Sequence, residues 1–342
     1  MEKYRGRYAP SPTGPLHFGS LVAAVGSYLE AKTRDGLWLL RMEDLDPPRE
    51  RPGAADTILR TLEACAMGWD GDVLYQSKRG DAYGAALARL EQQGLVYPCA
   101  CSRREIADSH VAFARSAHDA PLARASGRGA GGEGHCDGEH APPLAHASGR
   151  GVGGDGRADG ELIYPGTCRN GLAPGKTARA TRVRVDDCVI EFEDALQGKL
   201  NQNLAAEVGD FVLQRADGLY AYQLAVVVDD AEQGVTDVVR GADLLASTPR
   251  QIFLQRLLGL PTPRYLHLPA AVNAAGEKLS KQTRATPVDA RDPVPALAQV
   301  MDFLGQAPPA QLRCEPLAEF WRWALSHWDA KNIPRRRSLP AP

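Results

Sequence analysis

The sequence predicts an open, mostly parallel α/β sheet split by an insertion, and three observations carry that prediction. Helix-period apolar runs alternate with short apolar strand-like runs in the first hundred residues and again after position 180. A stiff loop, YAPSPTGPLHFGS (8–20), joins the first short segment to the first helix. Between the two halves, residues 117–160 carry a Gly-rich copy, LARASGRGAGGEG (122–134) repeated as LAHASGRGVGGDG (144–156), too poor in large apolar side chains to bury a core.

Each element follows from local pattern. Phe18, Leu21, Val22, Val25 and Leu29 recur at helical spacing, and Arg34-Asp35-Gly36 stops that helix before LWLLRM (37–42), which reads as a buried strand. Amphipathic helices follow near 54–66 and 81–93, the second ended by Gly94, and Ser102 with Glu105 makes a capping box. After residue 180, TRVRV, DFVLQR and LYAYQLAVVV read as strands, with Asp217-Gly218 as a hairpin turn between the last two. The 117–160 copies read as a tandem duplication forming a disordered loop; its histidines, with Cys136, lack the rigid flanks a metal site needs.

Composition narrows the function. At 342 residues, 44% hydrophobic and 24% charged, the chain has an ordinary globular balance. With 40 basic against 42 acidic residues it lacks the overall positive charge of a non-specific nucleic-acid binder, so any RNA contact must be local. No apolar leader or long apolar run suggests export or membrane insertion, and a cytoplasmic location is the expectation. Seven cysteines, an odd number thinly spread, fit reduced thiols and a metal site better than disulfides.

Two segments carry chemistry. In the 8–20 loop, Pro10, Pro12 and Pro15 fix φ while Gly14 and Gly19 omit Cβ atoms where a ligand approaches. A helix starting near His17 adds its positive dipole end, an arrangement suited to phosphate, although a stiffened domain edge has the same composition. In NAAGEKLSKQ (273–282), Lys278 and Lys281 lie three apart on a polar loop where two ammonium groups can fold over a polyphosphate. Cys99 and Cys101, followed by Tyr164 and Cys168, supply four candidate ligands; buried thiols with no metal are the other reading. Cys65, Cys188 and Cys314 sit in apolar contexts and read as core.

RYAPSPTGPLHFGS, RMEDLDPPR (41–49), VVVDD (226–230), VVRGADLL (238–245), STPRQ (247–251) and KLSKQ (278–282) together resemble, in order, the catalytic core of the class I glutamyl-tRNA synthetases. HFGS is similar to that family's HIGH-type signature and KLSKQ to its KMSKS-type signature, with departures at Phe18, Ser20, Leu279 and Gln282. The resemblance implies a Rossmann-type catalytic core with a zinc-containing insertion and a short C-terminal helical region. Its halves would be residues 1–96 and 181–285, its insertion 97–180, and its C-terminal region with a basic tail 286–342. That last stretch leaves no room for a helical anticodon reader, a layout similar to the truncated glutamyl-Q tRNA(Asp) synthetases.

The resemblance also implies roles. Arg7, Tyr8, Ala9, Pro10, Ser11 and Glu43 would surround L-glutamate, Glu43 meeting its ammonium, with Tyr222 and Arg240 opposite and the Arg240 fork meeting a carboxylate. His17, Gly19 and Lys281, and more loosely Lys278, would hold ATP. Cys99, Cys101, Tyr164 and Cys168 would hold one structural Zn²⁺. Mg²⁺ is implied on the ATP phosphates, although Asp44, Asp46, Asp229 and Asp230 form no readable cage. The implied acceptor is queuosine in the anticodon stem-loop of tRNA(Asp), and a monomer is expected. The alternatives are a shortened enzyme charging the 3′ end of tRNA(Glu), or a non-catalytic module binding glutamate or ATP.

Overall fold

The structure is a computed structural model that describes residues 3–106, 163–279 and 286–342. The repeat at 117–160 and Lys281 therefore lie outside the described residues. Ahead of the insertion come β1 (Arg5–Tyr8), α1 (Phe18–Lys32), β2 (Leu37–Met42), α2 (Ala54–Ala64), β3 (Leu74–Tyr75), α3 (Gly80–Gln92) and β4 (Val96–Cys99). After it come β5 (Ala180–Val183), β6 (Val189–Asp194), β7 (Gly198–Asn203), α4 (Leu204–Glu207), β8 (Val212–Gln214), α5 (Tyr222–Glu232), β9 (Asp237–Gly241), α6 (Thr248–Leu258), β10 (Arg264–Leu268) and β11 (Ala270–Val272). The chain then forms α7 (Val294–Phe303), α8 (Leu317–His327) and β12 (Ser338–Pro340).

β1, β2 and β3 pair in parallel in that order, and β9 pairs in parallel with β10, which continues to β6. The two sets meet where the Thr236 N–H donates to the Arg5 carbonyl at 2.9 Å. The order β3-β2-β1-β9-β10-β6 is that of a mixed α/β sheet whose crossovers reverse direction between β1 and β9. Ligands of such sheets bind outside the carboxyl ends of the strands at this reversal. Antiparallel β7 closes one edge, and β4, β5 and β8 form a separate antiparallel sheet whose strand β4 ends at Cys99.

Most elements form where the pattern places them. The Ser102–Glu105 capping box is reciprocal, Ser102 N–H to the Glu105 carboxylate at 2.7 Å and Glu105 N–H to Ser102 Oγ at 3.2 Å. One expectation fails: LYAYQLAVVV is not a strand. Tyr220 makes an isolated antiparallel bridge to Gln214 around the Asp217-Gly218 turn, but Tyr222 onward is helix α5. Leu224 to Val227 are all buried, as are Asp229 and Asp230, so the helix shows no polar face by which its period could be read. Gly234, at φ 62°, follows its end.

The C-terminal stretch is part of the first half's core. Phe18 meets Phe303 edge-on at 5.4 Å, Tyr28 packs on Trp321 at 4.9 Å, and Trp321 Nε1 donates to the Cys65 carbonyl at 2.7 Å. The basic tail leads into β12, which pairs with β11 beside the lysine-bearing hairpin. Of the three cysteines read as core, Cys65 is buried, Cys188 is half-buried and Cys314 is exposed. The exposure of Cys314 corrects that expectation: it ends a 3₁₀ turn from which only Leu312 enters the core.

Candidate active site and cysteine cluster

A cleft of about 710 Å³ opens at the carboxyl ends of β1, β2 and β9. Arg7, Tyr8, Ala9, Pro10, Ser11, His17, Gly19, Glu43, Tyr222, Arg240 and Lys278 all line it. Residues separated by more than two hundred positions in the chain thus meet at the sheet's reversal point.

One end of the cleft is the start of α1. His17 is the N-cap, with extended backbone, and its Nδ1 accepts the Ser20 N–H at 3.3 Å, which fixes the ring over the helix terminus. Gly14, at φ 148°, turns the loop through a conformation that side chains resist. A Cβ on Gly19 would lie 3.3 Å from the His17 ring and 3.7 Å from the Leu279 carbonyl. Glycine there leaves room for the His17 ring, and the hairpin after β11 reaches the helix start at ordinary contact distance. Lys278 reaches from that hairpin to an ion pair with Asp243, its side chain about half exposed.

The other end is built on buried charge. Arg7 donates to Asp230 through Nε at 3.0 Å and Nη2 at 3.4 Å, and Arg41 Nη2 donates to the same carboxylate at 2.6 Å. Both arginines are buried, and removing one partner of such a pair costs about 3–5 kcal/mol. Asp230 therefore clamps β1 and β2 to α5. Burial pushes the Glu43 carboxyl up to about 7 against the opposing pull of Arg41 and Arg7. Glu43 consequently sits at the edge of ionisation, 3.9 Å from Arg41 Nη2, and a cation arriving in the cleft would complete its deprotonation. Tyr8 is a wall: its hydroxyl donates to the Ser20 carbonyl at 3.2 Å and its ring stacks with Trp38.

Arg240 differs from the sequence expectation of an available fork. Its Nε donates to His267 Nε2 at 3.0 Å, and its Nη2 to Thr248 Oγ1 at 2.9 Å and Gln251 Oε1 at 2.8 Å. Nη1 is the corner that meets Tyr222, at 3.4 Å from the phenol oxygen. The acidic residues near the cleft are likewise engaged by protein donors: Asp44 by Ser77, Asp46 by Arg49 and Arg215, and Asp229 by Gln76, Arg79 and Tyr83.

Sequence reasoning gave no role to Arg41, Asp194 or His267. Their signal was a charged or polar residue inside an apolar run, LLRM, FED after a strand pattern, and YLHLP. Such residues are rarely buried without a partner.

The second constellation joins β4 to the chain after the insertion. The sulfurs of Cys99, Cys101 and Cys168 all lie within 4.8 Å of one another. Cys101 and Cys168 Sγ are 3.6 Å apart, close to the edge of about 3.8 Å that a tetrahedron with Zn–S bonds of about 2.3 Å requires. Tyr164 Oη stands 3.4 Å from Cys99 Sγ and 3.5 Å from Cys101 Sγ, so the phenol packs against the sulfurs. Arg182 Nε lies 3.3 Å from Cys99 Sγ, placing positive charge beside a candidate thiolate. Burial raises the Cys168 thiol, but hydrogen bonds from the Ala100 backbone and from Tyr164 outweigh it and bring it below its ordinary value. Three soft sulfur donors with one oxygen fit a zinc-like ion, and the cluster could hold one.

A family model described as tRNA synthetases class I (E and Q), catalytic domain, matches residues 3–124 and 167–296. A glutamyl-Q tRNA(Asp) synthetase of Dechloromonas aromatica (strain RCB) is 54% identical over 339 residues, spanning 99% of this chain and 98% of its own length. One from Thiobacillus denitrificans (strain ATCC 25259 / T1) is 51% identical over 337 residues, spanning 98% of this chain and 97% of its own. In fold, the chain is similar to a glutamate-tRNA synthetase from Elizabethkingia anophelis, with a TM-score of 0.72 at 22% identity, over 99% of this chain and 68% of that one. Among the described residues no helix is long and apolar enough to cross a membrane. The chain belongs to the class I tRNA synthetase family, with a glutamyl-tRNA synthetase-like catalytic fold, and is a ligase of the aminoacyl-tRNA synthetase type.

Proposed function

We propose that this chain activates L-glutamate with ATP in the absence of tRNA and transfers it to the queuosine base at the first anticodon position of tRNA(Asp). The observation that carries the reading is identity of about half over nearly the whole of proteins named for that reaction, with their length matched as well as their sequence.

In this reading the substrate ammonium sits against Glu43, and a carboxylate meets Arg240 Nη1 and the Tyr222 hydroxyl, across a floor formed by Arg7 to Ser11. His17, Gly19 and Lys281, and more loosely Lys278, hold the triphosphate, and Mg²⁺ travels with ATP. A glutamate carboxylate oxygen attacks the α-phosphorus and pyrophosphate leaves with the electron pair of the broken P–O bond. A hydroxyl of the queuosine cyclopentenediol then attacks the acyl carbon, giving up its proton, and AMP leaves with the electron pair of the broken acyl C–O bond. Most of the acceleration is positioning and stabilisation of negative charge on the phosphoryl oxygens.

The same reading makes residues 97–180 an insertion that grips the RNA, stapled by one zinc on Cys99, Cys101, Tyr164 and Cys168. Residues 1–96 and 181–285 are then the two catalytic halves, and a cytoplasmic monomer suffices for both steps. The test is transfer of labelled glutamate to tRNA. Queuosine-containing tRNA(Asp) should accept label and tRNA(Glu) should not; label on the 3′ end of tRNA(Glu) would reverse the assignment, and absence of pyrophosphate exchange would indicate a binding module.

A further inference from the structure

His267 lies on β10 beneath the cleft, fully buried, and none of the roles above uses it. Its Nδ1 stands 2.6 Å from Asp194 Oδ2. Asp194 is itself pinned at the end of β6, accepting backbone N–H groups from Leu196 at 3.0 Å, Gln197 at 2.8 Å and His267 at 3.1 Å. A carboxylate in that setting only accepts, so the shared proton belongs to Nδ1 and the lone pair to Nε2. That lone pair faces Arg240 Nε at 3.0 Å.

We propose that Asp194 and His267 are positioning residues that aim Arg240 at a carboxylate of the amino-acid substrate, with His267 Nε2 as the fixed acceptor for the Arg240 Nε–H. The inference rests on the reading of Arg240 as that carboxylate's partner and adds what holds it. Thr248 Oγ1 closes the frame, 2.9 Å from Arg240 Nη2 and 3.2 Å from His267 Nε2. With Nε and Nη2 committed, the guanidinium cannot rotate to follow a ligand, and only its Nη1 corner addresses the cleft beside Tyr222. A fixed single corner acts as a ruler for chain length: glutamate reaches it, and aspartate, one methylene shorter, falls short. Burial, with the nearby Arg240 charge, outweighs the upward pull of Asp194 and lowers His267 to about 4, which keeps Nε2 an acceptor at neutral pH.

The test is glutamate-dependent ATP–pyrophosphate exchange by three variants. His267→Asn keeps a group near Asp194 but none that reaches Arg240, whereas His267→Gln returns an amide oxygen near the Nε2 position. We expect His267→Asn to raise KM for glutamate roughly 10- to 100-fold, leave KM for ATP within about twofold, and narrow the preference for glutamate over aspartate. His267→Gln should recover most of the loss. Equal behaviour of the two variants, or parallel rises in both KM values, would overturn the relay. Arg240→Lys separates the layers. If it raises KM for glutamate while His267→Asn does not, only the relay falls; if it leaves that KM unchanged, the role of Arg240 falls and the relay with it. Should His267→Asn fail to fold, as judged by thermal melting, Thr248→Val removes the bridging hydroxyl and must shift KM for glutamate in the same direction, or the proposal is wrong.

Discussion

The cleft and the cysteine cluster solve opposite problems with buried polar groups. In the cleft, charge is neutralised by protein across long sequence separations: Asp230 between Arg7 and Arg41, and Asp194 behind His267 and Arg240. In the cluster, three sulfurs and a phenol crowd one another, with Arg182 the nearby cation. A site whose framework charges are largely paired within the protein can receive a transient ligand and release it unchanged. A site whose donors mainly face each other suits a resident ion. The difference supports the proposed division, with the cleft for turnover and the cluster for architecture.

The largest effect that would break this contrast concerns the lysine proposed to hold ATP. Lys281→Ala should slow glutamate-dependent ATP–pyrophosphate exchange by roughly 10²- to 10³-fold, the usual worth of one charge-stabilising donor, with little change in melting temperature. Unchanged exchange would remove the lysine from the mechanism.

A smaller effect should follow pH. Because burial holds Glu43 near 7 and ammonium binding needs its carboxylate, KM for glutamate should rise about tenfold per pH unit as pH falls below that value. Glu43→Gln should abolish the dependence and leave KM high at pH 8. The sign is opposite for stability. A carboxyl raised in the folded state binds more protons there than when unfolded, so this group's contribution declines as pH climbs from about 4.5 through 7. A pH-independent KM in the unsubstituted protein would mean that Glu43 does not meet the ammonium.

The smallest effect on chemistry should come from the cluster. Purified protein should carry about one zinc per chain, Cys99→Ser should lose it and melt earlier, and exchange should stay within about threefold. Full zinc occupancy in Cys99→Ser would contradict the ligand set, and a collapse of exchange would erase the contrast between the two regions.

Much of this was legible in the sequence because it is local. The first helix, its Gly36 stop, the strand after it, the capping box and the Cys-x-Cys pair depend on residues within a few positions of each other. The cleft's lining was legible only through collinear motifs, since nothing local says that Arg7 and Arg240 share a wall. Helix α5 was misread because burial on nearly every side erased its period, leaving a valine run that favours strand by composition. The partners of Arg41 and His267 lie 189 and 73 residues away, and only the folded sheet brings them together.

Both proposed steps require one cleft to hold both substrates. A crystal structure with glutamate and a non-hydrolysable ATP analogue should place the triphosphate between His17 and the lysines Lys278 and Lys281, with the α-phosphorus within about 3.5 Å of a glutamate carboxylate oxygen. A triphosphate bound outside this cleft, or a glutamate without contact to either Glu43 or Arg240, would contradict it.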